Sequence, residues 1–152
     1  MGEEPQLRWR TASAVDLPLV EAAELDYIRQ REPDQEAAWL AALDRNRRLW
    51  GENLERTTVV ELDGAPVGYG MWTVLDGVAT VVTLHVSPAH RRLGLGRRLL
   101  DAVADHVRRG GHAALALGVH RENPARRLYE AAGFRCTGED GEYVLFRRDL
   151  AG

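Results

Sequence analysis

The chain has 152 residues, 45% of them hydrophobic, with 20 arginines, no lysine and 23 acidic residues for a net charge of −3, enough apolar content for one core and a single domain over residues 1–152. No run approaches the length of a membrane span and no leader is visible, which excludes a membrane-crossing helix and predicts a soluble, cytoplasmic protein without a membrane partner. The lone Cys136 has no internal disulfide partner, so it reads as a small buried hydrophobe or an ordinary strand residue in a reducing compartment rather than as a nucleophile.

Residues 7–10 read as an edge strand. A helix then starts with Asp16 as N-cap and Pro18 in its first turn, and runs to about residue 31, where Glu32-Pro33 interrupts it. Trp39, Leu40, Leu43 and Trp50 recur at helical spacing and predict a second helix over 33–50, packed by those side chains on the core or, alternatively, touching an acceptor substrate. Residues 57–62 and 67–75 are strands joined by Asp63-Gly64, a two-residue hairpin signal, with Pro66 beside the turn. Asp76-Gly77 turns the chain again into a strand over 79–86. After Gly96, Leu99, Leu100, Val103 and Val107 share one face of a helix that stops at Gly110-Gly111. The small-residue strand 113–119 should lie parallel to 79–86, because a helix connects the two. Asn123 caps a further helix with Pro124 at its first position and Gly133 past its end. Residues 135–137 and 142–148 form a last hairpin, turning through Glu139-Asp140-Gly141. The expected fold class is α/β (α+β), with a mixed, mostly antiparallel sheet of six to seven strands flanked by about four helices.

Charge is segregated along the chain. Residues 1–87 hold 8 Arg against 15 acids, 88–127 hold 9 against 3, and 128–152 hold 3 against 5. Such a basic block suits an anion, but without interleaved aromatic residues and beside an acidic surface it argues against nucleic acid. The block coincides with the segment from Leu84 to Leu100, in which an apolar strand stops at Ser87-Pro88, a loop carries Gly94 and Gly96, and a helix begins. Unpaired amides and the positive dipole end of a helix favour an anion there, and Arg91, Arg92, Arg97 and Arg98 add charge. Two glycines before a helix also satisfy a plain tight turn. Leu99 stands where a dinucleotide loop needs a third glycine, and no lysine follows to make a nucleotide P-loop.

Arg91-Arg92-Leu93-Gly94-Leu95-Gly96 after Val86-Ser87-Pro88 resembles the pyrophosphate signature of the GNAT superfamily of acyl-CoA-dependent N-acyltransferases. A second block of that family stands at Asn123-Pro124-Ala125-Arg126-Arg127-Leu128-Tyr129-Glu130-Ala131-Ala132-Gly133-Phe134. The resemblance implies the GNAT-like fold, acetyl-CoA as co-substrate and no metal. It implies that strands ending at Val86 and near Val119 splay apart, that the backbone of Leu84 and Val86 binds the pantetheine arm, and that the backbone of Arg92, Leu93, Gly94, Leu95 and Gly96 cradles the pyrophosphate. Arg91 and Arg97 would reinforce the cradle, and Asn123 would stand near the cofactor, although an N-cap role explains that residue equally. The implied reaction is acetyl transfer to a primary amine by direct attack in a ternary complex. Val86 N–H is then the candidate donor to the developing oxyanion, and Tyr129 is the candidate general acid, where the motif outweighs a plain core role.

The base stays open. Many members carry a glutamate where this chain has Thr80, whose hydroxyl takes no proton at neutral pH. His85 and His120, at the ends of the splayed strands, titrate in the right range; each also reads as an ordinary strand-end histidine, and a water relay is a third route. The acceptor side of the resembled fold would carry Glu24, Asp26, Glu32, Asp34, Glu36, Glu139, Asp140 and Glu142, carboxylates that attract a cationic amine, either a small molecule or a peptide N-terminus. A solubilising acidic surface is the alternative. A homodimer is compatible with the resemblance. The rival functions are a non-catalytic acyl-CoA-binding or sensing module and a protein-interaction adaptor.

Overall fold

The computed structural model describes residues 6–91 and 94–150. In chain order these form β1 (Leu7–Thr11), α1 (Leu17–Arg31), α2 (Glu36–Ala41), α3 (Leu43–Glu52), β2 (Thr57–Leu62), β3 (Ala65–Leu75) and β4 (Val78–Val86). Then come α4 (Leu95–Arg109), β5 (Ala114–His120), α5 (Arg126–Ala131), β6 (Arg135–Asp140) and β7 (Tyr143–Asp149). The seven strands lie in the order β1-β2-β3-β4-β5-β7-β6. Every neighbouring pair is antiparallel except β4–β5, which α4 connects and which is parallel. Among the described residues no helix is long and apolar enough to cross a membrane.

The first two hairpins turn where Asp-Gly stands. Asp63 and Gly64 have φ of 50° and 85°, Asp76 and Gly77 of 50° and 78°, the paired left-handed conformations that match the twist of antiparallel strands. Because α1–α3 cover one face of the sheet and α4–α5 the other, β3 is buried continuously from Val67 to Thr73. On the first face Val20, Ala23, Trp50, Val59, Tyr69 and Met71 pack together. On the second, α4 lays Leu100, Val103 and Val107 against Trp72, Leu115, Leu117 and Phe146. Each such side chain is worth roughly 1.5–3 kcal/mol when fully buried. The close approach of α4 depends on Gly70, where a Cβ would stand 2.6 Å from Val103 Cγ2 and 3.0 Å from Leu84 Cδ1.

The register of β4 shifts against β3. Met71 opposes Thr83 and Trp72 opposes Val81, so Val82 is an extra residue on β4, a bulge that bends the strand. Beyond it β4 and β5 diverge; they pair only at Ala79↔Leu115 and Thr80↔Ala116.

Several sequence expectations need correction. The single helix over 33–50 is a short turn at Pro33–Gln35 followed by two helices, broken at Ala42, whose N–H is shared between the Ala38 and Trp39 carbonyls at 3.1 Å each. Trp50 is buried and stacks on Trp39 at 6.5 Å, but Leu40 is 47% exposed and packs no core. Asp16 does not cap α1 with its side chain; instead it takes Arg10 through both oxygens, at 2.8 and 2.9 Å, and the Ser13 N–H at 2.9 Å. Arg10 also reaches Glu61 at 2.9 Å, tying α1 to β1 and β2 and holding the Asp16 carboxyl below the usual range. The helix expected from Pro124 starts later, at Arg126. The last hairpin turns at Gly141, with Glu139 and Asp140 still in β6.

Gly70→Ala is expected to lower the unfolding free energy by about 1–3 kcal/mol, the usual range for overpacking a filled core. A urea titration should show the midpoint fall at unchanged slope.

Candidate active site

At the end of β4 the chain passes through a turn at Pro88–His90 and enters α4 from Gly94. Arg92 and Leu93, both expected in the cradle, lie outside the described residues. Gly94 has φ +73° with open space around a Cβ, so left-handed backbone rather than crowding requires glycine. Gly96 differs: a Cβ there would stand 3.0 Å from Leu128 Cδ2, and the bare backbone seats α5 on α4. The first helical bond of α4 runs from Arg98 N–H to the Gly94 carbonyl at 3.2 Å. The amides of Leu95, Gly96 and Arg97 therefore have no intrahelical acceptor and carry the positive end of the helix dipole. Leu95 sinks its side chain against Val60 and Val67, which anchors this turn and leaves only its main chain to a ligand. Exposed Arg97 pairs with Asp101 at 3.6 Å, and Arg91 donates through Nε to the Val86 carbonyl at 3.0 Å. Arg98 is committed elsewhere, its guanidinium 5.6 Å over the Trp9 ring.

Ser87 N–H donates to the Val67 carbonyl at 2.7 Å, toward β3. Successive strand residues turn their main-chain groups to opposite edges, so those of Leu84 and Val86 face the β5 side. No strand pairs them there. The result is an open strand edge that leads from the amide-rich end of α4 into the gap between β4 and β5.

Different chemistry lines the two faces of that gap. On the α4–α5 face, Tyr129 packs against Phe134 and Phe146 at 6.3 and 6.2 Å, and burial pushes its hydroxyl up to about 12, so it holds its proton at neutral pH. On the α1 face, Glu24 accepts a hydrogen bond from the Thr83 hydroxyl. Burial raises the Glu24 carboxyl, and Glu32 raises it further. Beside it Tyr69 is 1% exposed, and its hydroxyl has no hydrogen-bond partner among the described residues. His85, across from Tyr69 with the rings 5.6 Å apart, is held below its ordinary range by burial and by Arg91.

The remaining expected residues stand as follows. Thr80 sits where β4 and β5 are still paired and donates to the Val78 carbonyl at 3.0 Å; it is not in the gap. Asn123 spends both ends of its amide, Oδ1 accepting the Ala125 N–H at 2.8 Å and Nδ2 donating to the Tyr27 hydroxyl at 3.2 Å, and so bridges the β5–α5 loop to α1. His120 likewise has both nitrogens engaged, Nδ1 accepting the Glu122 N–H at 3.3 Å and Nε2 on Glu142 at 3.2 Å. A cleft of about 480 Å³ opens there, lined among others by Arg31, Glu32, His120, Arg121, Glu142 and Tyr143. The residue that sequence reasoning misplaced is Glu24. It was expected only as one acid among many on the acceptor surface, and its pairing with Thr83 depends on the β4 bulge, which no residue pattern announces.

Residues 19–134 match the model of the Acetyltransferase (GNAT) family. The chain is 34% identical over 117 residues to the L-methionine sulfoximine/L-methionine sulfone acetyltransferase of Salmonella typhimurium, covering 73% of this chain and 64% of that protein. It is 32% identical over 112 residues to the L-amino acid N-acyltransferase MnaT of Escherichia coli, covering 70% and 61%. The match thus spans less than two-thirds of either relative's own length. In fold the chain resembles the PaiA N-acetyltransferase from Thermoplasma acidophilum, solved in complex with coenzyme A, with a TM-score of 0.79 at 18% identity over 95% of this chain and 99% of that one.

A carboxyl raised by burial makes the native state hold its proton more tightly than the unfolded chain does. The resulting penalty is absent below the unfolded value, near 4.3, and grows as pH rises through the folded one. Glu24→Gln should therefore raise the Tm at pH 7.5 and leave it unchanged near pH 4. Thermal melts at the two pH values read the difference.

Proposed function

Because the chain belongs to the GNAT acetyltransferase family, we propose that it transfers an acetyl group from acetyl-CoA to a primary amine by direct attack within a ternary complex. The acceptor is a cationic small molecule or a peptide N-terminus. The observation that carries this reading is the open edge of β4, running from three helix amides without an intrahelical acceptor at one end to the half-buried Glu24 carboxylate on its α1 face. Acetyl-CoA supplies an electrophilic thioester and a diphosphate by which it is anchored. Those two demands fit what the chain offers. The amides of Leu95, Gly96 and Arg97, with the mobile charge of Arg91 and Arg97, suit the diphosphate, and the main chain of Leu84 and Val86 suits an extended amide-bearing arm.

The amine arrives protonated, since an alkylammonium titrates near 10, and it must lose a proton before its lone pair can attack. Glu24 is placed to take that proton, directly or through a water held by the Thr83 hydroxyl, and its raised value brings it nearer the working pH. His85, neutral for the reasons given, is a second acceptor on the same face. Negative charge that develops on the acyl oxygen meets the Val86 N–H. The departing sulfur takes a proton from Tyr129, which retains it until then, and the second proton of the attacking nitrogen, released as the amide forms, restores the phenol. A non-catalytic acyl-CoA-binding role rested on the missing carboxylate at Thr80; Glu24 removes that ground.

Glu24→Gln should lower kcat by about 10²–10³-fold, the usual worth of a positioned base, and abolish the acidic limb of the pH–rate profile. Tyr129→Phe should lower kcat while calorimetry shows acetyl-CoA binding within about twofold of the native protein. Full turnover by either variant removes that residue from the mechanism.

A further inference from the structure

We propose that the acceptor carries a second cation that does not react, read by Glu32 at the inner wall of the 480 Å³ cleft, so that the preferred substrates are linear diamines rather than monoamines or zwitterionic amino acids. Glu32 is 7% exposed. A carboxylate that deep normally has a cation beside it, because the desolvation of an unpaired charge is costly. Glu32 has none: no ion pair among the described residues includes it, and hydroxyls meet it instead, that of Tyr143 at 3.2 Å and that of Tyr27. It nevertheless borders the cleft, so a cation that enters from solvent meets it directly. The other charged groups on the cleft wall are mostly of the same sign, with Asp34, Glu122, Asp140 and Glu142 against Arg31 and Arg121. Arg121 is spent on the Gly141 carbonyl at 2.8 Å.

The spacing supplies a ruler. Glu24 and Glu32 are eight residues apart on and at the end of α1, about 12 Å along the helix axis at 1.5 Å per residue. Glu32 is near enough to raise the Glu24 carboxyl. Between them the Tyr27 hydroxyl accepts from Asn123 and faces Glu32. A reacting nitrogen at Glu24 and a protonated nitrogen at Glu32 therefore require several methylenes between them. An α-amino acid would set its carboxylate on a wall where carboxylates outnumber arginines, and that balance disfavours it. The proposal rests on Glu24 marking the point of transfer.

The test is initial-rate kinetics of the native protein with α,ω-diamines from propane to octane, matched against the corresponding monoamines and a panel of amino acids, with acetyl-CoA saturating. A kcat/KM advantage for diamines that grows toward the longer members supports the proposal. Glu32→Gln and, independently, the half-exposed Tyr143→Phe should then reduce the diamine-to-monoamine ratio of kcat/KM. For Glu32→Gln the drop should be about 10–100-fold, the range of a charged hydrogen bond. Diamines no better than monoamines, or a ratio that survives both substitutions, overturns it. If Glu24→Gln is inactive while diamines show no advantage, the second-cation reading alone fails; if Glu24→Gln is fully active, the underlying site assignment fails.

Discussion

The arrangement depends on a hydrogen-bond ladder that stops early. β4 and β5 are held together by α4, which must cross over the sheet and can join them only in parallel, yet they pair at two positions before the Val82 bulge turns β4 aside. Everything assigned to the site follows from that interruption. Main-chain groups at Leu84 and Val86 that would otherwise be consumed within the sheet are left facing a gap. The same bend directs Thr83 to α1, while Leu84 keeps its place under α4 beside Gly70. A sheet paired to its end here would be more regular and would have nowhere to bind an extended arm.

The two faces of the sheet divide the chemistry. The α4–α5 face is apolar, and it lifts a phenol to where it keeps its proton. The α1 face mixes a well-packed core with carboxylates that lack cations. Arg10 shows what the fold does when it wants a carboxylate only for structure: Asp16 and Glu61 are given a shared guanidinium and several hydrogen bonds. Glu24 and Glu32, on the same helix or at its end, receive hydroxyls from Thr83 and Tyr143 instead. Hydroxyls position a carboxylate without neutralising it.

How much of this was legible in the sequence depends on how local each signal is. The Asp63-Gly64 and Asp76-Gly77 turns, the apolar stripe of α4, the strand end at Val86 and the helix start beside Gly96 each lie within a short window, and each is found where expected. The break at Ala42 carries no proline or glycine, so periodicity ran straight through it. The insertion of β7 between β5 and β6 is a pairing decision between distant segments. Asn123 offered an N-cap signal, but its side chain serves a turn ahead of α5 and a tether to Tyr27. Glu24 was hidden for a related reason. α1 presents acids around much of its circumference, and only the tertiary contact with Thr83 separates one of them from the rest.

Gly96, in the first turn of α4, binds two distant parts of the chain to a common fate. Leu128 rests on it, and Leu128 is the immediate neighbour of Tyr129. A side chain acquired there would press on the tip of Leu128, which must give by a few tenths of an ångström beside the phenol, even if every amide in the turn kept its orientation. On the proposed function this position therefore answers to two demands, anion capture at one helix and the alignment of a proton donor on another, and a change must satisfy both.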